Sequence, residues 1–133
     1  MLIDSHAHLD IINTKIDILP IINRANNKNV SSILSINTKI DNFDTHYKKI
    51  KNYKSIWFTV GEHPCNINKN NIPSKEKILK YLSKPKVIGV GETGLDFYYS
   101  KKYMDSQYKS LKNHIDASLL TDLPLIIHLR NSE

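Results

Sequence analysis

Short apolar runs alternate with amphipathic stretches along the whole 133-residue chain. Leu2-Ile3 opens it as a brief strand that turns polar at Asp4-Ser5-His6. In the stretch ending near Asn29, Ile18, Ile21, Ile22 and Ala25 recur at helical spacing, with Pro20 tolerable only in the first turn. Val30 to Ile36 reads as a second strand. Asp41 to Tyr53 sets Phe43, Tyr47 and Ile50 four and three apart, which predicts a helix with lysines on its other face. Ile56 to Val60 is a third strand, stopped by Gly61. A helix follows Pro73-Ser74, with Ser74 as cap and Ile78, Leu79 and Leu82 inward. Lys86 to Val90 is a fourth strand. Gln107 to Thr121 spaces Leu111, Ile115 and Leu119 four apart, predicting a helix with these three inward, and Leu123 to Ile127 is a fifth strand.

This β-α-β-α-β-α-β-α-β order predicts parallel strands with crossover helices, since parallel neighbours need a long connection. No repeat, low-complexity tract or linker divides the chain, so one domain spans residues 1–133. The unusual polar residues follow the strands: His6 and His8 the first, Glu62-His63-Pro64 the third, Glu92 the fourth, His128 and Arg130 the fifth. In parallel α/β folds that edge is where active sites are built. On a strand, residues i and i+2 face the same way, so His6 and His8 can reach one cation. Taken singly, each residue has a plainer reading: Glu92 as a strand-end cap, His63 as a hydrogen-bonded loop residue, His128 as a satisfied core histidine. Their recurrence at one edge favours a site. Imidazole nitrogen and carboxylate oxygen suit zinc, manganese or a similar divalent ion, and a carboxylate between two cations can bridge them.

The net charge of +6 invites a nucleic-acid reading. However, Arg24 and Arg130 are the only arginines, and the lysines are scattered among asparagines and isoleucines, which fits compositional bias better than a phosphate-reading surface. Cys65 is the only cysteine, so no internal disulfide forms. With no signal-peptide pattern and no apolar run approaching a membrane span, the expected location is the cytoplasm, without membrane association.

Four segments, MLIDSHAHLD, VGEHP, VIGVGETGLDFYYS and LPLIIHLRNSE, resemble in order and spacing the signature segments of the TatD family of metal-dependent hydrolases, and Gln107 falls where that family has glutamine. GETGLDFYY is the most specific of these. The resemblance implies a TIM-type (β/α)8 barrel, of which this chain would hold the N-terminal part, about five strands and four helices. It implies two divalent cations (Zn, Mn or Mg) and hydrolysis, often of DNA phosphodiesters. Carried over by position, His6 and His8 would hold one metal, Glu92 would bridge both as the catalytic carboxylate, and His128 would hold the second. His63 and Arg130 would bind substrate or sit behind the ligands, while Asp4, Asp10 and Asp96 would orient loops or ligands.

The family pattern continues with a histidine after the sixth strand and an aspartate after the eighth, and neither is assignable here. A TIM barrel needs about 200 residues at the least. The expectation is therefore a fragment of a longer protein, inactive or nearly so alone; a truncated gene and a half that pairs through its open barrel edges are the competing explanations. DNA or a small phosphoester is the expected substrate, and no obligate protein partner is identifiable. The other readings are a metal-dependent hydrolase of a different ester or of an amide, and a non-catalytic barrel remnant.

Overall fold

The computed structural model describes residues 1–12 and 17–132. Five strands, β1 (Leu2–Ala7), β2 (Val30–Ser35), β3 (Ile56–Val60), β4 (Val87–Asp96) and β5 (Leu125–Arg130), lie parallel in the order β1-β2-β3-β4-β5. Between them run α1 (Leu9–Ile12), α2 (Leu19–Asn27), α3 (Phe43–Ile50), α4 (Lys75–Leu82) and α5 (Met104–Thr121). Each crossover advances the chain by one strand in the same direction, so the sheet curves into a half-barrel and all its C-terminal strand ends share one rim.

The core lies between sheet and helices. Ile33, Ile56, Phe58, Val60, Val87 and Val90 bury their side chains against Ile22, Phe43, Tyr47, Ile50, Ile78 and Leu82. Phe43 stacks on Tyr47 with centroids 5.5 Å apart and meets Phe58 edge-on at 6.2 Å. Strand alternation turns Trp57 and Ile88 to the opposite, concave face, where they are partly exposed. Ser74 caps α4 by accepting a hydrogen bond from Lys77 N, and Pro20 sits in the first turn of α2, both as expected. Among the described residues, no helix is long and apolar enough to cross a membrane.

Helix α5 departs from its predicted orientation. Its buried face is Gln107, Ser110, His114 and Ala117, while Ile115 is 38% and Leu119 78% exposed. Backbone groups of the sheet supply the reason. Gln107 Oε1 accepts from Asp96 N at 2.8 Å and its Nε2 donates to Asp96 O at 3.1 Å. His114 Nε2 accepts from Glu62 N at 3.2 Å, with Nδ1 donating to Ser110 O at 2.8 Å. Polar groups buried at a strand end need these partners, and that requirement outranks the leucine stripe. The predicted helix over 41–53 is shorter, a single 3₁₀ turn at Ile40–Asn42 followed by α3.

Strands β4 and β5 run further than predicted, to Asp96 and Arg130. Gly94, at φ +146°, lies so close to β5 that a Cβ there would run into the His128 carbonyl oxygen. The GETGLD segment, beyond the predicted end of the strand at Val90, is therefore continuous strand. The candidate residues His6, Glu92, His128 and Arg130 accordingly lie within the C-terminal parts of the strands rather than after them.

Gly94→Ala combines this clash with a backbone conformation unfavourable to L-residues, so it is expected to lower unfolding free energy by ~2 kcal/mol or more, measured by urea titration. Unchanged stability would contradict the close approach of β4 and β5. A second expectation concerns pH. Burial pushes His46 and His114 down to about 4 from the ordinary 6.5, so both stay neutral in the folded chain while the unfolded chain protonates. Their contribution is full above pH 6.5 and is lost as pH falls toward 4. Buried Glu62, raised by desolvation, works in the opposite sense, so the readout is a difference between proteins. His114→Gln and His46→Gln should each flatten the stability-versus-pH slope over that interval relative to the parent chain.

Candidate metal centre

Glu92 sits in β4 with its side chain 7% exposed. Its backbone N donates to Asn37 O at 3.0 Å, and Asn37 in turn donates from its own N to Thr59 Oγ1 at 3.1 Å. The backbone at Glu92 is thus tied to the segment after β2, which is itself tied to β3. Its two oxygens face different histidines. Oε2 lies 3.8 Å from His6 Nε2 and 3.7 Å from His8 Nε2, and Oε1 lies 3.3 Å from His128 Nδ1. His6 and His8, projecting from the end of β1 as the i, i+2 rule expects, have ring centroids 5.0 Å apart. Asp4 accepts from His6 N at 3.1 Å and so braces that segment.

Oε2 of Glu92 is buried and accepts no hydrogen bond, and His8 Nδ1 is likewise buried without one. A buried carboxylate oxygen among imidazole nitrogens is costly unless something positive lies beside it. Among the described residues, two groups have ligand atoms mutually within 4.8 Å, His6-His8-Glu92 and His63-Glu92-His128, and either could hold a divalent ion of the kind that takes nitrogen and carboxylate donors.

The second group divides further on its hydrogen bonds. His128 Nε2 meets Asp96 Oδ2 at 2.9 Å, and because the carboxylate can only accept, that nitrogen carries a proton; in the neutral ring Nδ1 is then the acceptor, on the side of Glu92 and of His63 Nε2. His63 is the reverse. Its Nδ1 accepts from Cys65 N at 3.1 Å, so the neutral ring carries its proton on Nε2, 3.3 Å from His128 Nδ1. Burial, and His128 beside it, hold His63 below the ordinary histidine value, which keeps the ring neutral. His63 is therefore placed to donate a hydrogen bond, and His128 to offer a lone pair.

Asp96 ties these groups together. Its side chain is fully buried, and Oδ2 accepts from Arg130 Nε at 3.0 Å, Arg130 Nη2 at 2.7 Å and Cys65 Sγ at 3.2 Å in addition to His128, while Oδ1 accepts from Tyr98 N at 3.1 Å. Burial alone would raise its pKa, but the bonds from Arg130, Cys65 and His128 outweigh it and hold the carboxyl well below the usual carboxylate range. Burial and the Asp96 charge push the Cys65 thiol up, leaving it a donor. Asp10 acts further out, its Oδ2 accepting from Thr38 N at 2.8 Å and Thr38 Oγ1 at 2.7 Å, which fixes the loop beyond β2. Beside the histidines a cleft of about 270 Å³ is lined by His8, Ile11, Thr38, His63 and Asn66.

Every candidate residue named from sequence, His6, His8, His63, Glu92, His128 and Arg130, lies at this rim. Asn37 and Cys65 were missed. Asn37 stands just beyond β2, so the strand-end rule applied to all five strands would have found it; nothing in the sequence signals the Cys65 thiol's hydrogen bond.

A protein-family model described as TatD related DNase matches residues 3–133. An uncharacterized metal-dependent hydrolase of Buchnera aphidicola subsp. Baizongia pistaciae is 40% identical over 136 residues, taking in 98% of this chain and 50% of that protein. A 3'-5' ssDNA/RNA exonuclease TatD of Shigella flexneri serotype 5b is 24% identical over 112 residues, 84% of this chain and 43% of its own length. Among solved structures, the TatD homolog YJJV of Escherichia coli K12 superposes with a TM-score of 0.88 at 28% identity, over 98% of this chain and 51% of that one. The chain spans about half the length of the curated relatives it matches.

The Asp96–His128 bond makes a spectroscopic expectation. Nitrogen-15 correlation spectra of the histidine rings should show His128 protonated on Nε2 above neutral pH, and Asp96→Asn should shift its population toward the other tautomer. Retention of one fixed Nε2–H tautomer in that variant would mean that something other than the carboxylate sets the ring.

Proposed function

The chain belongs to the TatD-related DNase family, and from that membership we propose that its rim residues are ligands of a two-cation centre that hydrolyses phosphodiester bonds in DNA. The observation that carries this is Glu92: a buried carboxylate with one oxygen turned to His6 and His8, the other to His128, and no hydrogen bond on the first. His6 Nε2, His8 Nε2 and Glu92 Oε2 would hold one cation, and Glu92 Oε1 and His128 Nδ1 would contribute to the other. Divalent cations bound there supply Lewis acidity toward a phosphoryl oxygen and bring the pKa of a water near neutrality.

The remaining residues act on substrate and ligands directly. His63, with its proton on Nε2, would donate to a non-bridging phosphate oxygen in place of His128 Nδ1 and would not be a ligand. Arg130, fixed by Nε and Nη2 on Asp96, places a guanidinium charge beside the centre where it favours a phosphate. Asp96 holds His128 in the tautomer that exposes Nδ1, the role that carboxylates behind ligating histidines commonly serve. The half of each relative that lies beyond the matched region supplies whatever completes the coordination.

Two measurements test the reading. In cobalt or zinc titrations followed by calorimetry and elemental analysis, His6→Ala/His8→Ala should lose one metal equivalent, and Glu92→Gln should weaken binding by about tenfold or more, the order expected when a metal loses a charged partner. Failure of the parent chain to bind either metal would remove the ligand assignment. Substrate class is tested on the gene product as its cell makes it, comparing an oligonucleotide with an amide and a carboxylic ester in Mn²⁺, Zn²⁺ and Mg²⁺. Chelator-sensitive cleavage of the oligonucleotide is expected, and faster turnover of the amide or carboxylic ester would overturn the phosphodiester reading.

A further inference from the structure

We propose that Tyr98 and Tyr99 form a stacking subsite for unpaired nucleobases, placed beside the metal centre by Arg130. The inference rests on the phosphodiesterase reading above and adds where the base of the substrate sits. Strand β4 ends at Asp96, Phe97 is buried, and the two tyrosines that follow are 60% and 74% exposed. Their rings lie 4.9 Å apart and nearly perpendicular, at 84°. The Arg130 guanidinium carbon sits 4.8 Å from the Tyr98 centroid and 4.7 Å from that of Tyr99. Arg130 is itself fixed by two hydrogen bonds to Asp96, and the Tyr98 backbone donates to the same carboxylate. The pair is therefore ordered by contacts at its base while its ring surfaces face solvent.

The chemistry of the surroundings selects the occupant. Lys101 and Lys102 are exposed on the same turn, which Ser100 closes by accepting from Lys102 N at 3.1 Å, so the run Tyr98-Tyr99-Ser100-Lys101-Lys102-Tyr103 interleaves rings and cations. Exposed aromatic rings flanked by positive charge are how proteins grip single strands, since every base offers a π face and every linkage a negative charge. Asp96 Oδ2 accepts from both Arg130 and His128, so the rings and the metal centre share one anchoring oxygen. Bases inside a duplex have both faces covered, so the subsite takes single strands or frayed ends.

The test uses the whole chain in EDTA, so that binding is read without hydrolysis. Fluorescence anisotropy compares a labelled oligothymidylate, an abasic oligomer of equal length and charge, and a blunt duplex. Thymidylate should bind more tightly than the other two. Tyr98→Leu and Tyr99→Leu should each weaken thymidylate binding by about tenfold, the order of losing one stacked base, and leave the abasic oligomer unaffected. Tyr98→Phe and Tyr99→Phe should restore the parent affinity, and zinc titrations of all four variants should match the parent, which excludes misfolding. Equal binding of thymidylate and abasic oligomers by the parent chain, no detectable binding of either, or leucine variants that bind as the parent does would overturn the proposal. Oligonucleotide cleavage by the gene product as its cell makes it, without base-dependent binding, would overturn the subsite alone, and base-dependent binding with no cleavage by that gene product would count against the hydrolase reading alone.

Discussion

The buried carboxylate of Asp96 is the constraint on which the rim of this half-barrel depends. It stands at the end of β4 and gathers donors from β5, from the turn after β3 and from the loop that follows it. A carboxylate with no exposed side-chain surface is tolerable only when its lone pairs are answered by strong donors, and the Arg130 guanidinium answers two of them. Because the charge is so placed, His128 has one available tautomer, Arg130 has one available direction, and the tyrosine pair has a fixed floor. Glu92, four residues earlier on the same strand, receives the opposite treatment. One oxygen is left without a hydrogen bond, and histidines surround it. Two acids on one strand thus divide the labour between holding and binding.

Much of this was legible in the residues. The alternation of short apolar runs with helical repeats gives five parallel strands, and the polar residues at their ends all arrive at one rim. His6, His8, Glu92 and His128 could be named because each sits at the same place in its own βα unit. What could not be read is the detail that long-range pairing decides. Hydrophobic spacing in α5 points Leu111, Ile115 and Leu119 inward, yet Gln107 and His114 take the buried face because strand-end backbone groups need partners there. No periodicity carries that requirement. The extent of β4 was hidden for a related reason: the apolar run stops at Val90, and what carries the strand on to Asp96 is the backbone of β5 lying against its glycines.

The two histidines nearest Glu92 Oε1 illustrate how backbone geometry decides chemistry between identical side chains. His63 begins a 3₁₀ turn and spends Nδ1 on the amide of Cys65, so its outward nitrogen bears a proton. His128 lies in extended strand, where no amide competes, and Asp96 sets it the other way round. A sequence comparison would score both simply as histidine. Their opposite polarity belongs to the turn and the strand, and it sets the N–H of one ring against the lone pair of the other.

The close approach at Gly94 has an evolutionary consequence. The separation between Glu92 on β4 and His128 on β5 is set by main chain resting against main chain, with no side chain acting as the spacer. A lineage whose codons drift toward isoleucine, lysine and asparagine can therefore exchange one apolar side chain for another throughout the helix-facing core without altering the separation of these two strands. Drift of that kind erodes fit and stability first. The spacing of Glu92 and His128 is insulated from it, and would be among the last features such a gene gives up.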